Sequence, residues 1–170
     1  MRTGVKFAAW LTIVVLTCYP ISMLGSKTAL AGQESSASRD AEIMALLDEY
    51  MNALNELDIE RHVATYRFPH YRHASGEIVI WETPREAMPI LDVPMSERKE
   101  AVSGMLAKDW DRSVWTKRDI VQGDATKVHV ATQFVRLRKD GSPIATYDSL
   151  YVLTRDADGW RIKGRSSFAP

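Results

Sequence analysis

The chain has 170 residues, long enough for one domain of common size and too short for two. Hydrophobic residues at 45% and charged residues at 26% exclude a disordered chain. The 22 basic and 22 acidic residues balance only formally: residues 1–31 hold Arg2, Lys6 and Lys27 and no acid, so the remainder carries 19 basic against 22 acidic residues, and a net −3 gives no electrostatic reason to expect nucleic acid or an anionic membrane as a partner.

The chain opens with MRTGVKFAAWLTIVVLTCYPISMLGSKTALAGQ. A basic start is followed by an apolar run from about Phe7 to Leu24, then by Ala29 and Ala31 at the −3 and −1 positions of a cleavage site before Gly32. That is the anatomy of a secretory signal peptide over residues 1–31. The apolar run is also long enough for a membrane anchor, but Pro20, Ser22 and the Ala-Leu-Ala end favour cleavage. A lipid anchor on Cys18 is a third option, weakened by the threonine of VLTC where a small residue is preferred. The expectation is an exported protein, periplasmic or secreted, with no membrane contact after cleavage. Cys18 is the only cysteine, so the mature chain has no disulfide and no thiol chemistry.

Residues 32–39, led by GQESSAS, read as a flexible linker before a domain over 40–170. Ile43, Leu46, Leu47, Tyr50, Met51 and Leu54 then recur on one face of a 3.6-residue period and predict an amphipathic helix. Asp58 caps a second, short helix with Ile59, Val63 and Tyr66 on its apolar side, ended by Phe68-Pro69. HYRHASGEIVIWE predicts a hairpin around Gly76, and TPRE predicts a helix start with Thr83 as cap, Pro84 first and Glu86 completing a capping box. Ser96 starts a further helix with Val102, Met105 and Leu106 as its stripe. From Val114 the period becomes two. Strands are predicted at about 113–122, 127–138, 143–154 and 160–168, separated by GDAT, KDGS and DADG, of which the Asp140-Gly141 and Asp158-Gly159 pairs suit hairpins.

Two segments carry a resemblance: EYMNALNELDIERHVATY near the start and DGSPIATYDSLYVLTRDADGWRIKGRSSFAP at the end. With the element order, they resemble the NTF2-like superfamily, and within it the SnoaL-like and ketosteroid-isomerase-like proteins. The resemblance covers about residues 40–170. It implies an α+β fold of ααββαββββ order, in which a curved antiparallel sheet wraps N-terminal helices into a cone with a pocket at its open end. It also implies dimerisation through the outer sheet face, so a homodimer is expected. Function does not follow from the fold, which hosts isomerases, cyclases, dehydratases and hydrolases.

Two-residue turns set the expected register. One face carries Val128, Val130, Phe134, Tyr147, Tyr151, Leu153, Trp160, Ile162 and Phe168, with Thr132, Ser149 and Ser166, and is expected to line the pocket. The other carries His129, Gln133, Asp148, Arg161, Lys163 and Arg165, with Leu150 and Val152, and is expected to face outward. A one-residue slip would exchange them.

The candidate ligand-binding residues are therefore Tyr50, Tyr66, Tyr147, Ser149, Tyr151 and Ser166. The catalytic candidates are His70 and Asp148. In FPHYRHASG, strand alternation puts His70 and Arg72 on one face and Tyr71 and His73 on the other, so His70 and His73 do not grip one metal. No HExxH and no cysteine pair offers a metal site elsewhere, and no nucleophile elbow, phosphate loop or dinucleotide fingerprint appears. Neither metal nor cofactor is expected. Asp148 facing outward pairs with Arg165; facing inward it is a general base. The expected function is binding of a small, largely apolar molecule in the cone. The alternatives are a cofactor-free acid–base isomerase, cyclase or dehydratase, and a dimeric interaction module with a filled cone.

Overall fold

The computed structural model describes residues 24–169, with side-chain detail from Ser36. The basic start, Cys18 and nearly all of the apolar run lie outside the described residues. Helix α1, Leu24–Asn55, is longer than the periodicity predicts, because residues 32–39 continue it as helix where a linker is expected. Among the described residues no helix is long and apolar enough to cross a membrane.

The predicted stripe of α1 is the centre of the core: Ile43, Leu47, Tyr50, Met51 and Leu54 are all buried. Burying each such side chain contributes about 1.5–3 kcal/mol, which is why this stripe fixes the helix against the sheet. At its end Asn55 ties the helix to the third strand through two reciprocal 2.8 Å bonds with the backbone of Ser113. Helix α2, Ile59–Ala64, is capped by Asp58, whose carboxylate accepts from the Arg61 N–H. It stops one turn earlier than predicted, and Tyr66 opens strand β1, Tyr66–Ala74. Strand β2, Glu77–Trp81, completes the hairpin around Ser75 and Gly76, both with positive φ. Helix α3, Pro84–Ala87, starts at the Thr83 cap, and Glu86 reaches back to the Glu82 N–H. Two short 3-10 turns, Pro89–Asp92 and Met95–Glu97, lead into helix α4, Arg98–Leu106.

Four long strands follow: β3 Arg112–Gly123, β4 Lys127–Leu137, β5 Pro143–Asp156 and β6 Gly159–Ser167. The sheet order is β2-β1-β6-β5-β4-β3, antiparallel except for β1 beside β6. Its inner face packs Val128, Val130, Tyr151, Leu153, Trp160 and Ile162 on the helices, so the α+β cone is as expected.

The β4–β5 register is as predicted, with Val130 opposite Tyr151, Thr132 opposite Ser149 and Phe134 opposite Tyr147. The β5–β6 register is not. Leu153 faces Ile162 as expected, but Val152 then faces Gly164, leaving Lys163 as an extra residue. Such a bulge moves every later side chain of the strand to the opposite face. Arg165 and Ser167 turn inward, opposite Tyr151 and Ser149, while Ser166 and Phe168 turn out and are exposed. Gly164 permits this path, since a Cβ there would collide with the Tyr71 ring lying over it on β1.

Candidate functional site

The helices do not fill the cone. A cavity of about 310 Å³ remains between α1, α3, α4 and the inner sheet face, within the range of small-molecule pockets, roughly 300–1,000 Å³. Tyr50, Met51 and Leu54 of α1, Trp81 of β2, Leu106 of α4 and Phe134 of β4 give it aromatic and aliphatic walls. Three arginines also line it: Arg72 from β1, Arg136 from β4 and Arg165 from β6. Among the described residues no aspartate or glutamate lines it.

Arg165 is half-buried and reaches the tyrosines of the core. It donates to the Tyr50 hydroxyl, and its guanidinium carbon lies 5.6 Å from the Tyr66 ring centroid and 6.0 Å from that of Tyr50. Its Nε is buried without a partner. Burial works against this charge, whereas the oxygens of Tyr50, Tyr66 and Tyr151 favour it, and the guanidinium stays protonated. Tyr151 donates to the same Tyr50 hydroxyl at 3.4 Å. Arg136 is 4% exposed, donates to the Leu106 carbonyl and lies 4.7 Å from the Tyr147 ring centroid. Arg72 donates to the Ala169 carbonyl at 3.1 Å. It also stands directly beside Arg165 in the parallel β1–β6 pair. Burial pulls the pKa of both Arg72 and Arg136 below the usual arginine value, and for each the neighbouring Arg165 charge adds to the effect.

Behind this wall lie two buried histidines. His62 donates from Nδ1 to the Tyr50 carbonyl at 2.8 Å, which leaves Nε2 to accept from the Tyr66 hydroxyl at 3.1 Å. His70 donates from Nδ1 to the Ile162 carbonyl at 2.9 Å and is stacked between Tyr66 and Trp81, with Nε2 unpartnered. Burial, reinforced by the Arg165 charge, lowers the pKa of each to about 3, so both are neutral at pH 7. Burial raises the Tyr66 and Tyr151 hydroxyls.

Of the residues singled out from sequence, Tyr50 and Tyr151 reach the cavity wall. Tyr66, His70 and Ser149 are packed behind it, and Ser149 donates to Ser167 at 2.8 Å. Tyr147 is half-buried, 5.5 Å ring to ring from Phe134. Ser166 is exposed on the outer face, a correction that follows from the Lys163 bulge; Ser167 takes the inward place. Asp148 is exposed and accepts from Gln133 at 3.1 Å. Its expected ion pair with Arg165 does not form, because the bulge puts the two on opposite faces. His73 is exposed while His70 is buried, and among the described residues no three His, Cys, Asp or Glu side chains stand together as a metal site.

Sequence reasoning missed the arginines. Arg136 shares parity with Phe134, and Arg72 with His70, so both were within reach of the alternation rule. Arg165 was hidden by the bulge, for which Gly164 inside a strand was the available signal.

A family model described as NTF2-like protein (DUF6841) matches residues 40–167. No curated protein matches the chain in sequence. Among solved structures, an NTF2-like protein with a cystatin-like fold from Novosphingobium aromaticivorans is similar at 15% identity and TM-score 0.63, covering 84% of this chain and 88% of its own. A protein from Catenulispora acidiphila in complex with S-DNPA is similar at 22% identity and TM-score 0.57, over 78% of this chain and 94% of its own. A ketosteroid isomerase-like protein from Erwinia carotovora atroseptica reaches 20% identity and TM-score 0.50, over 76% and 94%. At these identities the likeness concerns the fold.

Proposed function

The chain belongs to the NTF2-like family, and from that premise we propose that its cone is a binding site for a small molecule with a substantial apolar part. The observation that carries this reading is the unfilled cavity of about 310 Å³ with aromatic and aliphatic walls. The similar Catenulispora acidiphila protein, solved in complex with S-DNPA, supports reading the fold as one that takes up a bound molecule.

Binding without chemistry fits the lining better than acid–base catalysis. A general base needs a carboxylate or an accessible imidazole in the cavity. Among the described residues no carboxylate side chain lines it, Asp148 is on the other side of the sheet, and His70 is behind Tyr66 and Trp81 with a pKa of about 3.

The test is saturable binding of small arenes to the purified protein, followed by calorimetry and native mass spectrometry. One molecule per chain is expected, with binding abolished in Ala87→Trp and weakened in Met105→Trp, which add bulk to the wall and the rim. Binding unchanged in both variants would remove the cone from the account.

Export and dimerisation belong to the same proposal. Residues 1–31 direct the chain out of the cytoplasm, and the recovered protein begins at Gly32; a recovered protein that still begins at Met1 would contradict this. The outer sheet face, where Leu150 is 38% exposed and Ile78 and Ile80 are 69% and 59% exposed, receives a second copy. Light scattering at twice the monomer mass is expected, and monomer mass at high concentration would contradict it.

A further inference from the structure

We infer that the cone is an organic-anion site whose ligand is a small arene carboxylate, its ring against Met51, Leu54 and Phe134 and its carboxylate held among Arg72, Arg136 and Arg165. The inference rests on the reading of the cone as a small-molecule site and names the class of molecule.

The argument starts from adjacent strands. Arg72 and Arg165 are direct partners in the β1–β6 pair, so two permanent positive charges stand side by side on the inner face. Like charges directly opposite in a sheet destabilise it. A lysine or histidine so placed would shed its proton, as His62 and His70 do, but a guanidinium does not. A buried charge is then stable only with a counter-charge or with hydrogen bonds to all its donors. Neither is complete here. Among the described residues, no carboxylate lies within ion-pair distance of Arg72, Arg136 or Arg165, although Arg61, Arg67, Arg98 and Arg118 all have one. Among the described residues the cone arginines touch neutral groups: the carbonyls of Ala169 and Leu106, the Tyr50 hydroxyl, and the faces of Tyr50, Tyr66, Phe134 and Tyr147. Such contacts orient a guanidinium without neutralising it, and the Nε of Arg165 has no acceptor at all.

What the described residues do not supply is a negative charge. The cavity is large enough to bring one in attached to a ring. A carboxylate suits the forked donors because it accepts two parallel N–H bonds from one guanidinium. Trp81 and Phe134 on the same walls offer ring faces and edges to an arene.

The experiment compares benzoate and 2-naphthoate with benzamide and 2-naphthamide by calorimetric titration into the purified protein at neutral pH and low salt. Each carboxylate has the shape of its amide and differs in charge. The carboxylates are expected to bind about ten- to a hundredfold more tightly, the worth of a charge-assisted hydrogen bond. Arg165→Met and Arg72→Met are each expected to weaken the carboxylate about tenfold and to weaken the amide less, so that the preference for carboxylate narrows in both variants. Circular dichroism confirms that each variant is folded. If amide and carboxylate bind the native protein equally, the anion inference fails and the cone reading stands. If neither binds, both fail. If folded variants keep the full preference for carboxylate, these arginines are not the anion site.

Discussion

On the helical side of the molecule, Arg98 is 6% exposed and holds Glu60 with two bonds of 2.6 and 2.7 Å, a third going to the Val93 carbonyl. Inside the cone, Arg165 donates to the Tyr50 hydroxyl, keeps its Nε unpartnered and stands beside Arg72. Both are arginines on a packed framework, and both keep their charge. One has its counter-ion within the chain, and the Arg98 bonds hold the Glu60 carboxyl down at about 2. The other is provided with orientation alone. The difference teaches that the outer pair serves the fold, whereas the inner cluster is kept at some cost in stability. The two buried histidines sharpen the point, because a group that can discharge in this interior does so.

The largest expected effect is on acid stability. His62 and His70 have ordinary values near 6.5 in the unfolded chain and about 3 in the folded one. Below pH 6.5 the unfolded state therefore binds protons that the folded state refuses, and stability is lost as pH falls from 6.5 towards 3. Each histidine contributes a slope approaching about 1.4 kcal/mol per pH unit. His70→Phe, which keeps a ring between Tyr66 and Trp81, should remove one of the two contributions. An unchanged slope between pH 6 and 4 in urea melts would mean that His70 is not buried neutral. Glu60 adds its own loss only lower, since its stabilisation is complete above about pH 4.5 and fades towards 2.

Next comes the direct comparison of arginines. Arg98→Met should cost about 2 kcal/mol, because it removes charged hydrogen bonds to Glu60 and the bond to Val93. Arg72→Met should cost less than about 0.5 kcal/mol or stabilise, because it relieves repulsion from Arg165. Equal losses in the two variants would erase the distinction between fold-serving and ligand-serving arginines. The smallest effect is expected at Asp148→Asn, exposed on the outer face: stability within about 0.5 kcal/mol and arene binding unchanged. A large loss of binding there would put the carboxylate into the cone after all.

The parts of this arrangement that were legible in sequence are those set by local rules. The stripe from Ile43 to Leu54 dictated the face of α1. Asp140-Gly141 set the β4–β5 turn, and from it the pairing of Val130 with Tyr151 follows at once. The Thr83 cap and Pro84 likewise marked α3. What was not legible depends on contacts distant in the chain. Asp158-Gly159 set the start of the β5–β6 hairpin correctly, and Leu153 faces Ile162, but counting in twos beyond it misplaces Arg165, Ser166, Ser167 and Phe168. The bulge that displaces them accompanies the Tyr71 ring over Gly164, and Tyr71 lies more than ninety residues away. The parallel pairing of β1 with β6 brings Arg72 to Arg165, and no turn chemistry announces it. The cationic character of the cone was therefore invisible where an apolar face was expected.

The most direct test is an X-ray structure of the protein crystallised with 4-bromobenzoate, with the bromine located by anomalous scattering. The account predicts one molecule in the cone, its carboxylate bonded to at least two of Arg72, Arg136 and Arg165 and its bromine towards Phe134 and Leu54. An empty cone, a molecule bound elsewhere, or a carboxylate of the chain itself occupying the space between these arginines would contradict it.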